Sequence, residues 1–148
     1  MGYSNHQVAK ILNNIGCVHY EYGGLLAALK AFEEALEIQE ELILSASSNE
    51  SRLNLAGTMC NIGFILVKRK EYGEAIVVMN KALKIIKEVL GNKADNDERV
   101  QTALGNLAYA MAFANSQCEE EDEGISEVSH PLQFLFFVIL MMLFLLYR

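Results

Sequence analysis

Few side chains in this protein stand where covalent chemistry could happen. His6, His19 and His130 are isolated, with no cysteine or second histidine at metal-ligand spacing. His19 reads as a core or groove histidine rather than a ligand. Cys17, Cys60 and Cys118 are odd in number and far apart, with no CxxC pair. That excludes a disulfide framework and fits a reducing compartment. Glu33, Glu34, Glu37, Glu40 and Glu41 crowd one stretch and read as a solvated helix face, not as a paired acid and base. No phosphate-cradling glycine loop or nucleophile elbow is found. The expectation is a non-enzyme without metal or cofactor. The side chain that does recur in a pattern is asparagine. Asn14, Asn61 and Asn106 occupy the same place in three similar strings, and each carboxamide offers two donors and an acceptor.

The elements that must position these asparagines are helices. Apolar residues recur at spacings of three and four, and Pro131 is the only proline. The pattern predicts helices over 6–22, 25–45, 52–69, 72–90 and 97–115. Ser4 with Gln7, and Asp95 with Glu98, have capping-box spacing at helix starts. Gly23-Gly24 separates the first two helices, and Gly91 fits a cap after Val89-Leu90. Lys68, Arg69 and Lys70 close the third helix, where cations suit the negative end of its dipole.

The strings containing the asparagines are L-N-N-I-G at 12–16, M-C-N-I-G at 59–63 and L-G-N-L-A at 104–108, so the period is 47 and then 45 residues. The helix behind each of the first two also repeats. A-L-K-A-F-E-E-A-L-E-I at 28–38 matches A-I-V-V-M-N-K-A-L-K-I at 75–85, aligning Ala28 with Ala75 and Ala35 with Ala82. A period of this length marks stacked two-helix units. Antiparallel helices approach closely only where small residues stand at the crossing. Gly16 and Gly63 sit mid-helix, where glycine costs about 1 kcal/mol relative to alanine; close packing explains why they recur in register. Leu12, Ile15 and Phe32 are expected to fill the space around that contact.

Ile15-Gly16, Ala28, Phe32 and Ala35 in one copy, and Ile62-Gly63, Tyr72, Ala75 and Ala82 in the next, resemble the tetratricopeptide pattern L-G-x-x-Y…A-x-x-x-F…A. The long period and the N-I-G and N-L-A cores resemble the kinesin light chain variety. There are departures: His19 and Leu66 replace the usual tyrosine, Met79 replaces the aromatic, and no proline ends the second helices. The resemblance covers residues 9 to 115 and implies an all-α solenoid of about two and a half helix-turn-helix repeats. It further implies a concave groove, lined by the first helix of each unit, that takes an extended peptide. Counting along those helices, the groove residues are Lys10, Asn13, Asn14, Cys17 and Tyr20; then Cys60, Asn61, Phe64, Val67 and Lys68; then Asn106, Tyr109 and Phe113. The asparagines either hold the peptide backbone or bond to neighbouring helices and fix the repeats. The aromatics either form apolar pockets or belong to the core. The groove has too few cations to grip a terminal carboxylate as some members of the family do, so chaperone docking is disfavoured.

Composition divides the chain into a repeat domain at 1–117, an acidic linker at 118–130 and a hydrophobic C-terminal helix at 131–148. The net charge of −7 falls largely in the run from Glu119 to Glu123, and a nearly neutral domain lacks the basic face that nucleic acid demands. From Leu132 to Tyr147 only Gln133 is polar. As a helix this segment spans about 24 Å, short of the roughly 30 Å hydrocarbon layer but strongly apolar. The expectation is a tail anchor holding cytoplasmic repeats at an intracellular membrane. Two alternatives stand beside it: the tail folds onto the open face of the fifth helix, or the chain is a truncated repeat protein, structural or regulatory, that associates laterally through that helix. Two and a half repeats are marginal for an array of this kind, so self-association, tethering or a larger assembly is expected.

Overall fold

The computed structural model describes residues 4–122, and their side chains as far as Asn115. The expectations for the rest of the linker and for the apolar tail lie outside the described residues. The elements are α1 (Asn5–Glu21), α2 (Leu25–Ser45), α3 (Asn49–Lys68), α4 (Tyr72–Leu90), a 3-10 helix (Gly91–Asn96) and α5 (Glu98–Asp122). Among the described residues every regular element is helical. Helices α1 and α2 form one hairpin and α3 and α4 a second, with α5 following. The chain divides into two compact units, Met1–Ser116 and Gln117–Arg148; the first holds the hairpins, and of the second only the last turns of α5 are described.

Local chemistry explains where each helix begins and ends. At α1 the Ser4 hydroxyl accepts from Gln7 N at 3.4 Å, and Gln7 Oε1 accepts from Ser4 N at 2.9 Å. Ser48 and Ser51 build the same reciprocal box at 3.0 and 2.9 Å, so α3 starts at Asn49, ahead of the position periodicity predicts. The cap of α5 is Asp97 rather than Asp95: its carboxylate accepts from the Arg99 amide at 3.0 Å and from the Arg99 guanidinium at 2.9 and 2.7 Å. Residues 91–96 before it form the 3-10 helix, entered through Gly91 at φ +56°. At its far end α5 runs through the first acidic residues to Asp122. The helix holds no proline, it tolerates Gly105 at a cost of about 1 kcal/mol relative to alanine, and glutamate is a good helix former.

The two hairpin turns are copies with different side chains. In the first, Gly23 takes φ +79°, its N–H reaching Tyr20 O at 2.9 Å while Gly24 N–H reaches His19 O at 2.8 Å. In the second, 47 residues on, Lys70 takes φ +66°, with Lys70 N–H on Val67 O at 3.0 Å and Glu71 N–H on Leu66 O at 2.9 Å. A lysine held left-handed costs roughly 1–2 kcal/mol, so the turn is imposed by packing of the hairpin rather than by local preference.

That packing centres on the two recurring glycines. A β-carbon built on Gly16 would stand 2.5 Å from Phe32 Cε1, and one on Gly63 would stand 2.6 Å from Met79 Cγ. Phe32 and Met79 are 47 residues apart and occupy equivalent places; each lays its side chain in the notch that the glycine leaves. Ala28, Ala35, Ala75 and Ala82 are all fully buried around them. Ile15 departs from expectation. It is 41% exposed, whereas its equivalent Ile62 is 5% exposed: α3 packs on α2 of the preceding hairpin as well as on α4, while α1 has no earlier repeat among the described residues. The core runs on through Val100, Ala103, Leu107 and Ala110 of α5.

Two glycines with equally open surroundings separate space from backbone strain. Neither Gly57, inside α3, nor Gly23, at the turn, has an atom within 4 Å of a built β-carbon, and only Gly23 has positive φ. Gly57→Ala raises unfolding free energy by about 1 kcal/mol, and Gly23→Ala lowers it by about 1–2 kcal/mol. Urea titrations followed by circular dichroism read both signs.

Candidate peptide-binding face

The first helices bring part of the expected site together. Cys17, Tyr20 and Glu21 of α1, Phe32 of α2, and Asn61, Phe64 and Ile65 of α3 line a mainly apolar cavity of about 260 Å³. Tyr20 and Phe64 meet edge to face with ring centroids 5.1 Å apart, an arrangement that suits the aromatic quadrupole. The Lys68 ammonium lies 5.1 Å from the Phe64 ring centre, within cation–π range. The notch at Gly16 therefore has a second consequence. The Phe32 ring that fills it also contributes to this cavity, linking hairpin packing to the surface.

A second aromatic group lies on α4 and α5. Tyr109 and Phe113 stack at 4.4 Å, and both approach Tyr72, at 6.3 and 5.8 Å respectively. Tyr72 is buried, whereas Tyr109 is 48% exposed. Tyr72 thus forms the base on which the two α5 rings rest.

The asparagines divide by role. Asn13 is a bolt between hairpins: its Nδ2 donates to Thr58 Oγ1 at 2.9 Å and to Ala9 O at 3.2 Å, and Thr58 Oγ1 lies 3.1 Å from Asn13 Oδ1. Thr58 is buried and also donates to Asn54 O. Asn14, Asn61 and Asn106 differ. Asn14 is exposed, Asn61 and Asn106 are half-buried, and among the described residues none of the three carboxamides makes a hydrogen bond within the protein. Of the other expected residues, Lys10 is exposed early in α1 and does not reach the cavity. Val67, 47 residues after Tyr20, is buried in the core rather than open to the face. His19 is exposed in the last turn of α1. Glu21 and Ile65 of the cavity lining, and Thr58, escaped sequence reasoning, and nothing in their type or spacing marked them.

The two cysteines described on this face are chemically unequal. Burial pushes the Cys60 thiol up to about 11, against the opposing pull of the Arg99 guanidinium. It therefore stays protonated and weakly nucleophilic at neutral pH. Cys17 is exposed. Among the described residues no group of three or more histidine, cysteine, aspartate or glutamate side chains could hold a metal ion.

Hairpins closed by glycine notches and stacked on one another, with contacts between their first helices, define a helical repeat protein. A family model for the tetratricopeptide repeat matches residues 8–43 and 55–97, more than half of the chain. The chain belongs to that family, and its repeats are of the kinesin light chain-like kind. Repeats of this family generally mediate protein–protein interaction and are generally non-enzymatic scaffolds. The two matches begin 47 residues apart, the same register that relates Gly16 to Gly63 and Phe32 to Met79. No curated protein and no solved structure matches the chain.

The thiol difference has a direct readout. At pH 7.5 a maleimide labels Cys17 at least about tenfold faster than Cys60. The Cys60 rate climbs steeply only as pH approaches 11, because the thiolate is the reactive form. Mass spectrometry of the labelled peptides follows each site separately.

Proposed function

We propose that the aligned first helices bind an extended segment of a partner protein, with Asn14, Asn61 and Asn106 holding its main chain and the aromatic side chains receiving its apolar residues. The observation that carries this reading is that, among the described residues, these three carboxamides have no hydrogen-bond partner. Water satisfies these carboxamides in the free protein, and a peptide main chain that replaces it gains about 0.5–1.5 kcal/mol per hydrogen bond. Asn13 sits next in sequence and is fully committed to Thr58, so helices in this fold do satisfy asparagines when the role is structural. Three free carboxamides one repeat apart suit the regular spacing of peptide amides and carbonyls, and such contacts are indifferent to side-chain identity. Sequence preference then comes from the cavity beside Tyr20 and Phe64. Its lining is chiefly apolar, with the Glu21 carboxylate and the Lys68 ammonium as the charged groups beside it, so an uncharged apolar side chain is the best fit.

The two kinds of asparagine give opposite signatures. Asn61→Ala weakens capture of peptides from an immobilised random library about tenfold and leaves the urea midpoint unchanged. Asn13→Ala lowers stability by about 1 kcal/mol and leaves peptide capture intact once the protein is folded. Loss of stability without loss of binding in Asn61→Ala would assign that residue to the scaffold instead.

We propose separately that residues 132–147 tether the repeats to an intracellular membrane. Their composition supports this: fifteen of the sixteen are apolar, and each Leu, Ile, Phe or Val contributes about −0.3 to −0.6 kcal/mol to insertion near the helix centre. A fluorescent fusion of the whole chain then localises to membranes, and removal of residues 131–148 releases it. Diffuse fluorescence from both fusions overturns the tether.

A further inference from the structure

Helix α5 has three distinct faces. Val100, Ala103, Leu107 and Ala110 are buried in the core. Asn106, Tyr109 and Phe113 belong to the peptide-binding face. The third carries Gln101, Leu104, Ala108, Met111 and Asn115, at alternating spacings of three and four, which is the seam of an antiparallel helix pair. In α3 the same seam is covered. Shifted back by 45 residues, Leu104, Ala108 and Met111 fall on Met59, Gly63 and Leu66. Met59 and Leu66 are 8% and 4% exposed, in the core shared with α4, whereas Leu104 and Met111 are 39% and 51% exposed.

The side chains say what fits this seam. It reads alike from either end: polar, large apolar, small, large apolar, polar. From Val100 to Cys118 the helix has no aspartate, glutamate, lysine, arginine or histidine, so meeting a copy of itself brings no like charges together on this stretch. We propose that a second copy of this chain packs on the seam, antiparallel, about a two-fold axis at Ala108. Symmetry then sets Leu104 beside Met111 of the second copy and Gln101 beside Asn115 of the second copy. The two alanines meet at the crossing, where small residues permit close approach.

Two other occupants fit less well. Residues 132–147 contain no glycine, alanine or serine and so lack the small residues that Ala28, Ala35, Ala75 and Ala82 supply in α2 and α4. The exposed stripe of α1, Ile11, Ile15 and Val18, is branched throughout and has no small residue at its centre. The seam is about 21 Å long, and one helix face of that length buries a few hundred Å² per copy. A standard stable interface takes about 800 Å² per partner, so the dimer is weak and concentration-dependent. The peptide-binding residues lie on another face of α5, and this inference stands independently of that reading.

Cysteine cross-linking of the full-length chain tests the register. In a Cys17→Ser, Cys118→Ser background, Ala108→Cys gives disulfide-linked dimers on mild oxidation. Gln101→Cys alone does not, because its two copies lie about 21 Å apart across the axis, but mixed with Asn115→Cys it gives heterodimers. Adding Met111→Arg to Ala108→Cys lowers the dimer yield at least about tenfold, since a buried unpaired charge is strongly disfavoured, with helicity by circular dichroism unchanged. The proposal is overturned if the full-length chain stays monomeric at high concentration, or if positions 101 and 108 cross-link equally. It is also overturned if Met111→Arg leaves association unchanged, as pairing through the tail or the α1 stripe would require.

Discussion

The Phe32 ring lies where a β-carbon on residue 16 would have to stand. Met79 does the same against Gly63, and both interactions are the product of one repeated arrangement. Each glycine gives up about 1 kcal/mol of helix propensity relative to alanine, and in return two helices come close enough for a large side chain to be buried in full. Burying such a side chain is worth about 1.5–3 kcal/mol, so the exchange favours the hairpin. The left-handed turn at Lys70 follows from the same balance. Local preference opposes it, and hairpin packing overrides that preference.

Once the hairpins are set, their stacking places the surface. Asn13 and Thr58 link α1 to α3, Tyr20 leans on Phe64 across the same junction, and Tyr72 supports Tyr109 and Phe113 one unit later. The period that repeats the notch also repeats the asparagines, because each asparagine lies two residues before its notch position at 16, 63 or 108. Binding chemistry and packing chemistry are therefore carried by adjacent positions in one short string. A change at the glycine is felt at the face, since Phe32 both fills the notch and lines the cavity.

Much of this was legible in the sequence, because helices announce themselves by period and repeats by self-similarity. The five helices, the register, the small residues at the crossings and the Ser4–Gln7 cap were all readable. What escaped depended on context that a string does not show. Ser48–Ser51 makes a reciprocal cap without the expected glutamate or glutamine, and Asp97 displaced Asp95 because residues 91–96 coil into a 3-10 helix. Ile15 matched a core position by pattern yet is 41% exposed, since burial there depends on a neighbour rather than on the residue. Asn13 and Asn14 were indistinguishable by type. Only the position of Thr58 on the next hairpin separates a structural carboxamide from a free one.

The central claim is that Gly16 is glycine because of Phe32, and a double-mutant cycle in urea measures it most directly. Gly16→Ala in the natural background should destabilise by about 1–3 kcal/mol, as overpacked cores do. In a Phe32→Leu background the same change should cost little or should stabilise, giving a coupling of at least about 1 kcal/mol. Equal effects of Gly16→Ala in both backgrounds would mean that the ring and the notch are independent, and the account of the hairpin would fail.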